Sequence, residues 1–288
     1  MIVGEPVFQV CSLTETRNNI LVACESGNMK LYDVNTEKSS YTRLINTEIG
    51  FLKIVDCNTV YFSTDNTIMK FDFRENSQES IVFRAKSEIT NFCVIGEVLA
   101  ASTMDHGINL SDKRSFMKSQ KVSILPSVCS SIALVDSHSI VAGYYDTHVG
   151  KWSLDNNSFT LFDQAPAGLA NPPVVHSLVY QNAFTAVATQ GGLSVYKEEK
   201  LIACDYFDHD GAVQVISFAR CFQNNVIASG AVDGSLMIFD CDNMKAIDCI
   251  SIENEKIQSI DSNSDCIFVA DTSDNGAIGI FHPEDFNQ

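Results

Sequence analysis

The stretch VIASGAVDGSLMIFD, Val226 to Asp240, contains the pattern that decides the fold. It starts with small and apolar residues, turns at the polar pair Asp233-Gly234, and ends with a second run that closes on the bulky Phe239 followed by Asp240. Two short apolar runs separated by such a turn are typical of paired β-strands. The stretch therefore predicts one unit of β-structure with a recognisable end at Phe239-Asp240.

This unit recurs along the whole chain. Close copies are SIVAGYYDTHVGKWS (139–153) and VYFSTDNTIMKFD (60–72), looser ones are ILVACESGNMKLYD (20–33) and VLAASTMDHGINLSD (98–112), and degenerate ones are TAVATQGGLSVYK (185–197) and IFVADTSDNGAIGIFH (267–282). The bulky position falls at Tyr32, Phe71, Ser111, Trp152, Tyr196, Phe239 and Phe281, with successive spacings of 39, 40, 41, 44, 43 and 42 residues. Repeats of roughly 40–45 residues are typical of the four-stranded blades of a β-propeller. The sequence thus predicts an all-β fold, a single seven-bladed β-propeller spanning residues 1–288.

The segments between the copies supply the remaining strands of each blade. Runs before a copy, such as FLKIV (51–55) and VQVISFA (213–219), predict inner first strands, and runs after it, such as SIVFRA (80–85), predict outer fourth strands. The last copy has no fourth strand behind it. We expect MIVG, residues 1–4, to fill this place with Ile2 and Val3 buried, because a closed ring leaves no exposed sheet edge.

The composition limits the classes of partner and of compartment. The 288 residues include 36 acidic and 19 basic ones, a net charge of −17, whereas a phosphate backbone favours clustered Lys and Arg, so we expect no nucleic-acid binding. The acidity serves solubility or a preference for basic partners. Ten cysteines, mostly in apolar runs without Cys-x-x-Cys, predict free thiols in a reducing compartment. The sequence has no secretory signal and no long apolar run, so we expect a cytoplasmic or nuclear protein that binds no membrane. We also expect it to be monomeric outside its complexes.

The chain contains no motif of a known catalytic or cofactor site. Gly-x-Gly-x-x-Gly, a Gly-rich phosphate loop and Gly-x-Ser-x-Gly are absent, and the six His residues show no zinc spacing. Asp208-x-Asp210-Gly211 has the start of a calcium loop without its other ligands, and as a turn it needs no metal. We therefore expect no catalytic residue, cofactor or metal, and a protein that is not an enzyme. The alternative is a propeller hydrolase whose site is assembled from distant loops.

The repeats resemble those of the WD-repeat family, whose blades end in Trp-Asp and begin near a Gly-His. Only Trp152 is a true Trp at the bulky position, and DHDGAV around His209 is the best Gly-His equivalent. In that family a His, a Ser or Thr, a turn Asp and the Trp form a hydrogen-bonded set. The resemblance implies such a structural set in the sixth repeat and structural roles for the turn aspartates that stand six residues before the bulky position. These residues are His209, Ser229, Asp233 and Phe239 for the set, and Asp65, Asp105, Asp146 and Asp233 for the turns.

Three further stretches resemble one member of the same family. They are GLANPPVVHS (168–177), VCSSIAL (128–134) followed by KWSL, and IFVAD…GIFHPEDF at the C-terminal end.

Two neighbouring repeats end in Asp-x-Arg. Asp72-Phe73-Arg74 and Asp112-Lys113-Arg114 both follow a third strand, so we expect Arg74 and Arg114 on one face of adjacent blades. This Asp-x-Arg ending resembles a short motif of the ubiquitin-ligase receptors in the WD-repeat family. In those receptors the motif docks onto the adaptor of the ligase, the damaged-DNA-binding subunit, which is itself built of propellers. The resemblance implies a substrate receptor of a cullin-RING ubiquitin ligase, with Asp72, Arg74, Asp112 and Arg114 as adaptor-binding residues. The alternatives are that each Arg pairs with its own Asp, and that the protein is a scaffold subunit of another complex.

Tyr144 and Tyr145 stand next to the turn Asp146 of the fourth repeat. Adjacent aromatic residues in a turn are candidates for contact with a protein partner, because Tyr is enriched at the centres of interfaces. The alternative is that one of them packs over the rim of the ring and the other is merely exposed.

Overall fold

The computed structural model describes residues 1–13, 18–45, 47–56, 58–73, 79–112, 120–122, 127–156, 158–163, 174–205, 209, 211–252 and 255–286, with the backbone alone at 95, 112, 120–122 and 205. Within these ranges 27 strands form seven antiparallel sheets, and a single 3-10 turn covers Pro283–Asp285. The all-β prediction is confirmed. None of the helical structure in these ranges is long and apolar enough to cross a membrane.

Each sheet is one blade, built from strands that follow one another in the chain. Blade one contains β1 (Val7–Ser12), β2 (Asn19–Cys24), β3 (Asn28–Asp33) and β4 (Lys38–Leu44). Blade two contains β5 (Phe51–Ile54), β6 (Thr59–Thr64), β7 (Thr67–Asp72) and β8 (Ser80–Arg84). Blade three contains β9 (Ile89–Ile95), β10 (Val98–Thr103), β11 (Gly107–Asp112) and β12 (Gln120–Val122). Blade four contains β13 (Cys129–Asp136), β14 (Ser139–Tyr144), β15 (Val149–Ser153) and β16 (Ser158–Leu161). Blade five contains β17 (Val175–Gln181), β18 (Phe184–Thr189), β19 (Gly192–Lys197) and β20 (Lys200–Asp205). Blade six contains β21 (Val213–Phe218), β22 (Val226–Ala231), β23 (Ser235–Asp240) and β24 (Lys245–Ser251). Blade seven contains β25 (Ile257–Ser262), β26 (Ile267–Asp271) and β27 (Ile278–Phe281).

The first strand of each blade lies beside the first strand of the next, and β25 lies beside β1, so that seven blades close into a ring around a central channel. Because consecutive strands are antiparallel, the turns between second and third strands share one face, here called the upper face. The connections between third and fourth strands lie on the opposite, lower face. The predicted seven-bladed propeller is confirmed.

The bulky position of the repeat has the same place in every blade. Each such residue lies in a third strand and pairs with one of the first two residues of the second strand, for example Phe71 with Val60 and Trp152 with Ile140. Ser111 pairs with Leu99 in the same way, so the alignment of the third repeat holds although its residue is small. The remaining pairs are Tyr32 with Ile20, Tyr196 with Thr185, Phe239 with Ile227 and Phe281 with Ile267.

The apolar core lies between the blades. Small residues of the second strands let adjacent blades approach closely, as where Ala186 and Ala188 of blade five pack against Val213 and Ile227 of blade six. The last and first blades are joined in the same manner, since Phe268 and Ile278 pack with Val7 and Ile20. Full burial of each large apolar side chain contributes about 1.5–3 kcal/mol, so these interfaces hold the ring together.

Residues 1–4 lie along the outer edge of the last blade. Ile2 forms an antiparallel bridge with Ala277, the N–H of Val3 donates to Gly276 O at 2.9 Å, and the N–H of Ile278 donates to Met1 O at 2.9 Å. The segment thus occupies the place of the missing fourth strand. Gly276 is required there, because its φ is +61° and a Cβ would collide with the carbonyl oxygen of Glu5.

The expectation that both Ile2 and Val3 are buried was wrong for Ile2. Val3 is 6% exposed, whereas Ile2 is 66% exposed. Successive side chains of a strand point to opposite sides, and only one side of this outermost segment faces the rest of the protein.

Candidate functional site

Asp72 and Asp112 occupy the same place in adjacent blades. Each is the last residue of its third strand, and each pairs with the first residue of its second strand, Thr59 in blade two and Val98 in blade three. Both therefore lie at the lower face, as the sequence predicts. Asp72 is buried, and the side chain of Asp112 is outside the described residues, as are Arg74 and Arg114.

An aspartate at this strand end builds a turn in two other blades. In blade six, Asp240 Oδ1 accepts hydrogen bonds from the backbone N–H groups of Asp242 at 2.8 Å and Asn243 at 3.0 Å. Burial would raise the pKa of Asp240, but these hydrogen bonds and one from the Asn243 side chain outweigh it and lower the pKa. In blade one, Asp33 accepts from the N–H of Thr36 at 2.9 Å. An Asp at this strand end thus has a turn-building role in blades one and six, so the part of the docking hypothesis that is specific to the second and third blades is the Arg.

The predicted hydrogen-bonded set of blade six is assembled with one additional member. His209 Nε2 lies 2.9 Å from the hydroxyl of Ser229, and its Nδ1 is hydrogen-bonded to the hydroxyl of Ser235. Ser235 in turn donates to Asp233 Oδ1 at 2.6 Å, so Ser235 links the turn aspartate to the imidazole. Phe239 is buried and contributes only apolar surface.

Sequence reasoning missed Ser235. The available signal was a hydroxyl residue two positions after the turn aspartate, where an Asp side chain regularly accepts from the backbone N–H. Asp233 Oδ1 does accept from Ser235 N at 2.9 Å.

Trp152 has a different partner from the one that the family pattern implies. Its Nε1–H donates to the hydroxyl of Tyr144 at 2.9 Å, and both rings contact Phe159, with centroids 4.7 Å from Trp152 and 6.1 Å from Tyr144. Tyr144 is only 2% exposed, and burial raises its pKa. Tyr144 is therefore a core residue, which corrects its assignment as a partner-contact residue.

Tyr145 remains a candidate contact residue. It is 45% exposed and lines an upper-face groove of about 690 Å³ together with Met104, Asp65 and Glu88. Contact of Tyr145 with a partner stays a prediction.

The other turn aspartates contribute to the blade turns. Asp146 Oδ2 lies 3.0 Å from His148 Nδ1 within the same turn. Asp65 has a positive φ of 49°, and its carbonyl oxygen accepts from the N–H of Ile89 at 2.8 Å, which connects blade two to blade three. Asp105 Oδ1 accepts from the hydroxyl of Thr103 at 2.5 Å. These contacts agree with structural roles.

The nine described cysteines are free thiols. Six of them are buried, and burial raises the pKa of Cys11, Cys24 and Cys93 to about 12 in each case. A thiol with such a pKa is not a nucleophile near neutral pH. Among the described residues, no three His, Cys, Asp or Glu side chains are grouped so as to hold a metal ion. Asp208 and Asp210 of the partial calcium pattern lie outside these residues.

The upper end of the central channel is shaped by β-bulges. In six blades one extra residue interrupts the pairing near the start of the first strand, and such a residue is directed out of the regular ladder. The extra residues are Phe8, Thr90, Ser130, His176, Gln214 and Gln258. An upper cavity of about 340 Å³ is lined by four of these six residues, namely Phe8, His176, Gln214 and Gln258. Lys53, Asn91 and Lys256 line the same cavity.

Comparisons with known proteins establish the fold alone. No protein-family model matches the chain, and no curated protein matches it. Among solved structures, the crystal structure of the computationally designed Ika8 protein is similar, with a TM-score of 0.72 and 13% sequence identity over 97% of this chain and 96% of that chain. At this identity the likeness concerns backbone architecture. The protein is a seven-bladed β-propeller, a ring of sheets whose exposed turns suit binding to other proteins.

Proposed function

We propose that this propeller is a protein-interaction platform that serves as a substrate receptor of a cullin-RING ubiquitin ligase. In this proposal Arg74 and Arg114 dock the ligase's adaptor, the damaged-DNA-binding subunit, and the rest of the surface presents the substrate. The protein is a binding protein and not an enzyme, and it acts in the cytoplasm, the nucleus or both.

The observation that carries the proposal is the equivalence of Asp72 and Asp112. Their strand ends share one register in adjacent blades and reach the same face, and in the sequence each is followed two positions later by an Arg. Arg is suited to the docking role proposed for these two residues, because its planar guanidinium can bind a carboxylate in a bidentate manner. None of the other blades has an Arg two residues after the strand end.

The likeness of three short stretches to WD repeat-containing protein 53 supports the same proposal. Of these stretches, residues 128–134 form most of β13, and the C-terminal one includes β26 and β27. The stretch at 168–177 is described only from residue 174 onward.

A second proposal is a scaffold subunit of another multiprotein complex. It rests on the generality of the propeller as a binding fold. A basic face or a further blade-donating domain would favour it, whereas the paired Asp-x-Arg sequences favour the ligase receptor.

The test is a binding measurement with purified adaptor. The double variant Arg74→Ala/Arg114→Ala should bind about 30- to 1,000-fold more weakly than the unchanged protein, as expected for two interface hot spots. The matched control is Arg84→Ala/Lys86→Ala, which removes two exposed positive charges at the opposite face of blade two. Failure of the unchanged protein to bind adaptor at micromolar concentration rejects the proposal, and so does equal weakening by the control.

A further inference from the structure

The central channel carries positive charge in a strongly acidic protein. Lys53 and Lys256 line the upper cavity, and none of the described residues that line it is an Asp or a Glu. Neither lysine forms an ion pair within the described part of the chain. Against a net charge of −17, this is a local reversal of sign, and a cleft of one sign with low-dielectric walls concentrates ions of the opposite sign.

Lys53 also connects this site to the lower part of the channel. It lines a second cavity of about 330 Å³, in which Arg220 is the other cation. Arg220 is already paired there, with Asp261 Oδ1 at 2.7 Å and the hydroxyl of Ser12 at 3.0 Å. The charge that is free for a ligand therefore lies at Lys53 and Lys256.

Two buried polar atoms of the same lining lack a partner. His176 Nε2 and Asn91 Oδ1 are inaccessible to solvent and form no hydrogen bond with the described residues. Burial lowers the pKa of His176, and the nearby Lys256 ammonium lowers it further, so the imidazole is neutral at pH 7 and can donate one N–H. Rotation of the Asn91 amide presents its NH₂ group in place of its oxygen. An unpaired buried polar group is costly, so a ligand that supplied acceptors would be stabilised here.

The cavity is polar on one side and aromatic on the other. His176, Gln214 and Gln258 come from blades five, six and seven, whereas Phe8 and Phe51 of blades one and two contact each other edge to face, with centroids 6.5 Å apart. A volume of about 340 Å³ is near the lower end of the range for ligand pockets, so it suits one small molecule or one side chain.

We propose that the upper part of the central channel binds an anionic group, a phosphate or a carboxylate, through Lys53, Lys256 and the N–H of His176. The group belongs either to a free small anion or to an acidic or phosphorylated side chain inserted from a partner. Both sources present the same oxygens to the same donors.

The test is calorimetric titration at constant ionic strength with four probes: pyrophosphate, citrate, an eight-residue peptide with a central phosphoserine, and the same peptide with glutamate in its place. Binding of either free anion identifies a free ligand, and binding of a peptide alone identifies a side chain as the source. The variant Lys53→Met/Lys256→Met should weaken binding of the effective probe about 10- to 100-fold, because it removes one or two charge-assisted hydrogen bonds.

The control Lys38→Met/Lys200→Met changes the net charge equally at two exposed positions outside the channel. Its affinity for the effective probe should stay within about twofold of that of the unchanged protein. A second readout needs no variant: the pKa of His176, followed by NMR, should rise when the probe saturates the site, since a nearby anion favours the imidazolium. The proposal is overturned if none of the probes binds below millimolar concentration, if the control weakens binding as much as the channel variant, or if the His176 pKa stays constant on saturation.

Discussion

The ammonium group of Lys30 lies 2.5 Å from Glu5 Oε1, and it also donates to the carbonyl oxygen of Val3 at 3.1 Å. Lys30 belongs to the third strand of blade one, whereas residues 1–4 pair with the last blade. Lys30 of the first blade thus binds the segment that completes the seventh, and the hydroxyl of Tyr32 in the same strand also donates to Val3 O, at 3.4 Å. The hydroxyl of Ser26 and the amide of Asn28 bind the same Glu5 carboxylate, so the connection has several bonds.

Deleting residues 1–4 should lower the free energy of unfolding by a few kcal/mol, because it removes ladder hydrogen bonds and the burial of Val3. Val3→Ala alone should cost about 1.5–2.5 kcal/mol, and the control Ile2→Ala should cost less than about 0.5 kcal/mol, since Ile2 is exposed. Chemical and thermal unfolding measure both effects. If the deletion leaves the thermal midpoint unchanged, the contacts of residues 1–4 do not stabilise the ring.

The Glu5 contacts predict a pH dependence of stability. Burial alone would raise the pKa of Glu5, but hydrogen bonds from Lys30, Ser26 and Asn28 outweigh this effect, so the pKa in the folded protein lies below the ordinary value of 4.5. The unfolded chain then binds a proton at higher pH than the folded chain does. The stabilisation is complete above about pH 4.5 and is lost as pH falls through the folded-state pKa.

Glu5→Gln should remove this dependence. The difference in unfolding free energy between the unchanged protein and Glu5→Gln, measured in urea from pH 6 to pH 3, should shrink as the pH falls. A difference that stays constant over this range would contradict the assignment.

The bond between Trp152 and Tyr144 should behave as a coupled pair. Trp152→Phe leaves the buried Tyr144 hydroxyl without its donor, and Tyr144→Phe leaves the buried indole N–H without its acceptor, so each substitution should cost about 1–3 kcal/mol. The double variant should cost less than the sum of the two, because neither unpaired group remains. Additive costs in urea unfolding would show that the two groups are not coupled.

Thiol reactivity should follow burial. Cys249 is exposed and should react with iodoacetamide in the folded protein, whereas Cys11, Cys24 and Cys93 should not, since their buried thiols have pKa values of about 12. Peptide mapping by mass spectrometry after labelling at pH 8, with a urea-unfolded sample as control, measures this. Rapid labelling of Cys11 or Cys93 under native conditions would indicate that the blades open.

The sequence by itself determined the number of blades, the order of their strands and the position of each turn aspartate. These features are readable because strand alternation, turn chemistry and the repeat period are local properties, expressed within about 45 residues. The spacing was strong enough to place Ser111 correctly among aromatic residues.

Only the tertiary structure decided which side chains meet between distant segments. Ser235 joins His209, Tyr144 turns inward to Trp152, Ile2 points outward, and bulged residues of separate blades surround the central channel. A strand's side chains reverse direction with each residue, so a bulge or a single change of register moves a side chain from the surface to the core. That choice depends on packing against the neighbouring blade, about 40 residues away, and a pattern confined to one repeat does not contain it.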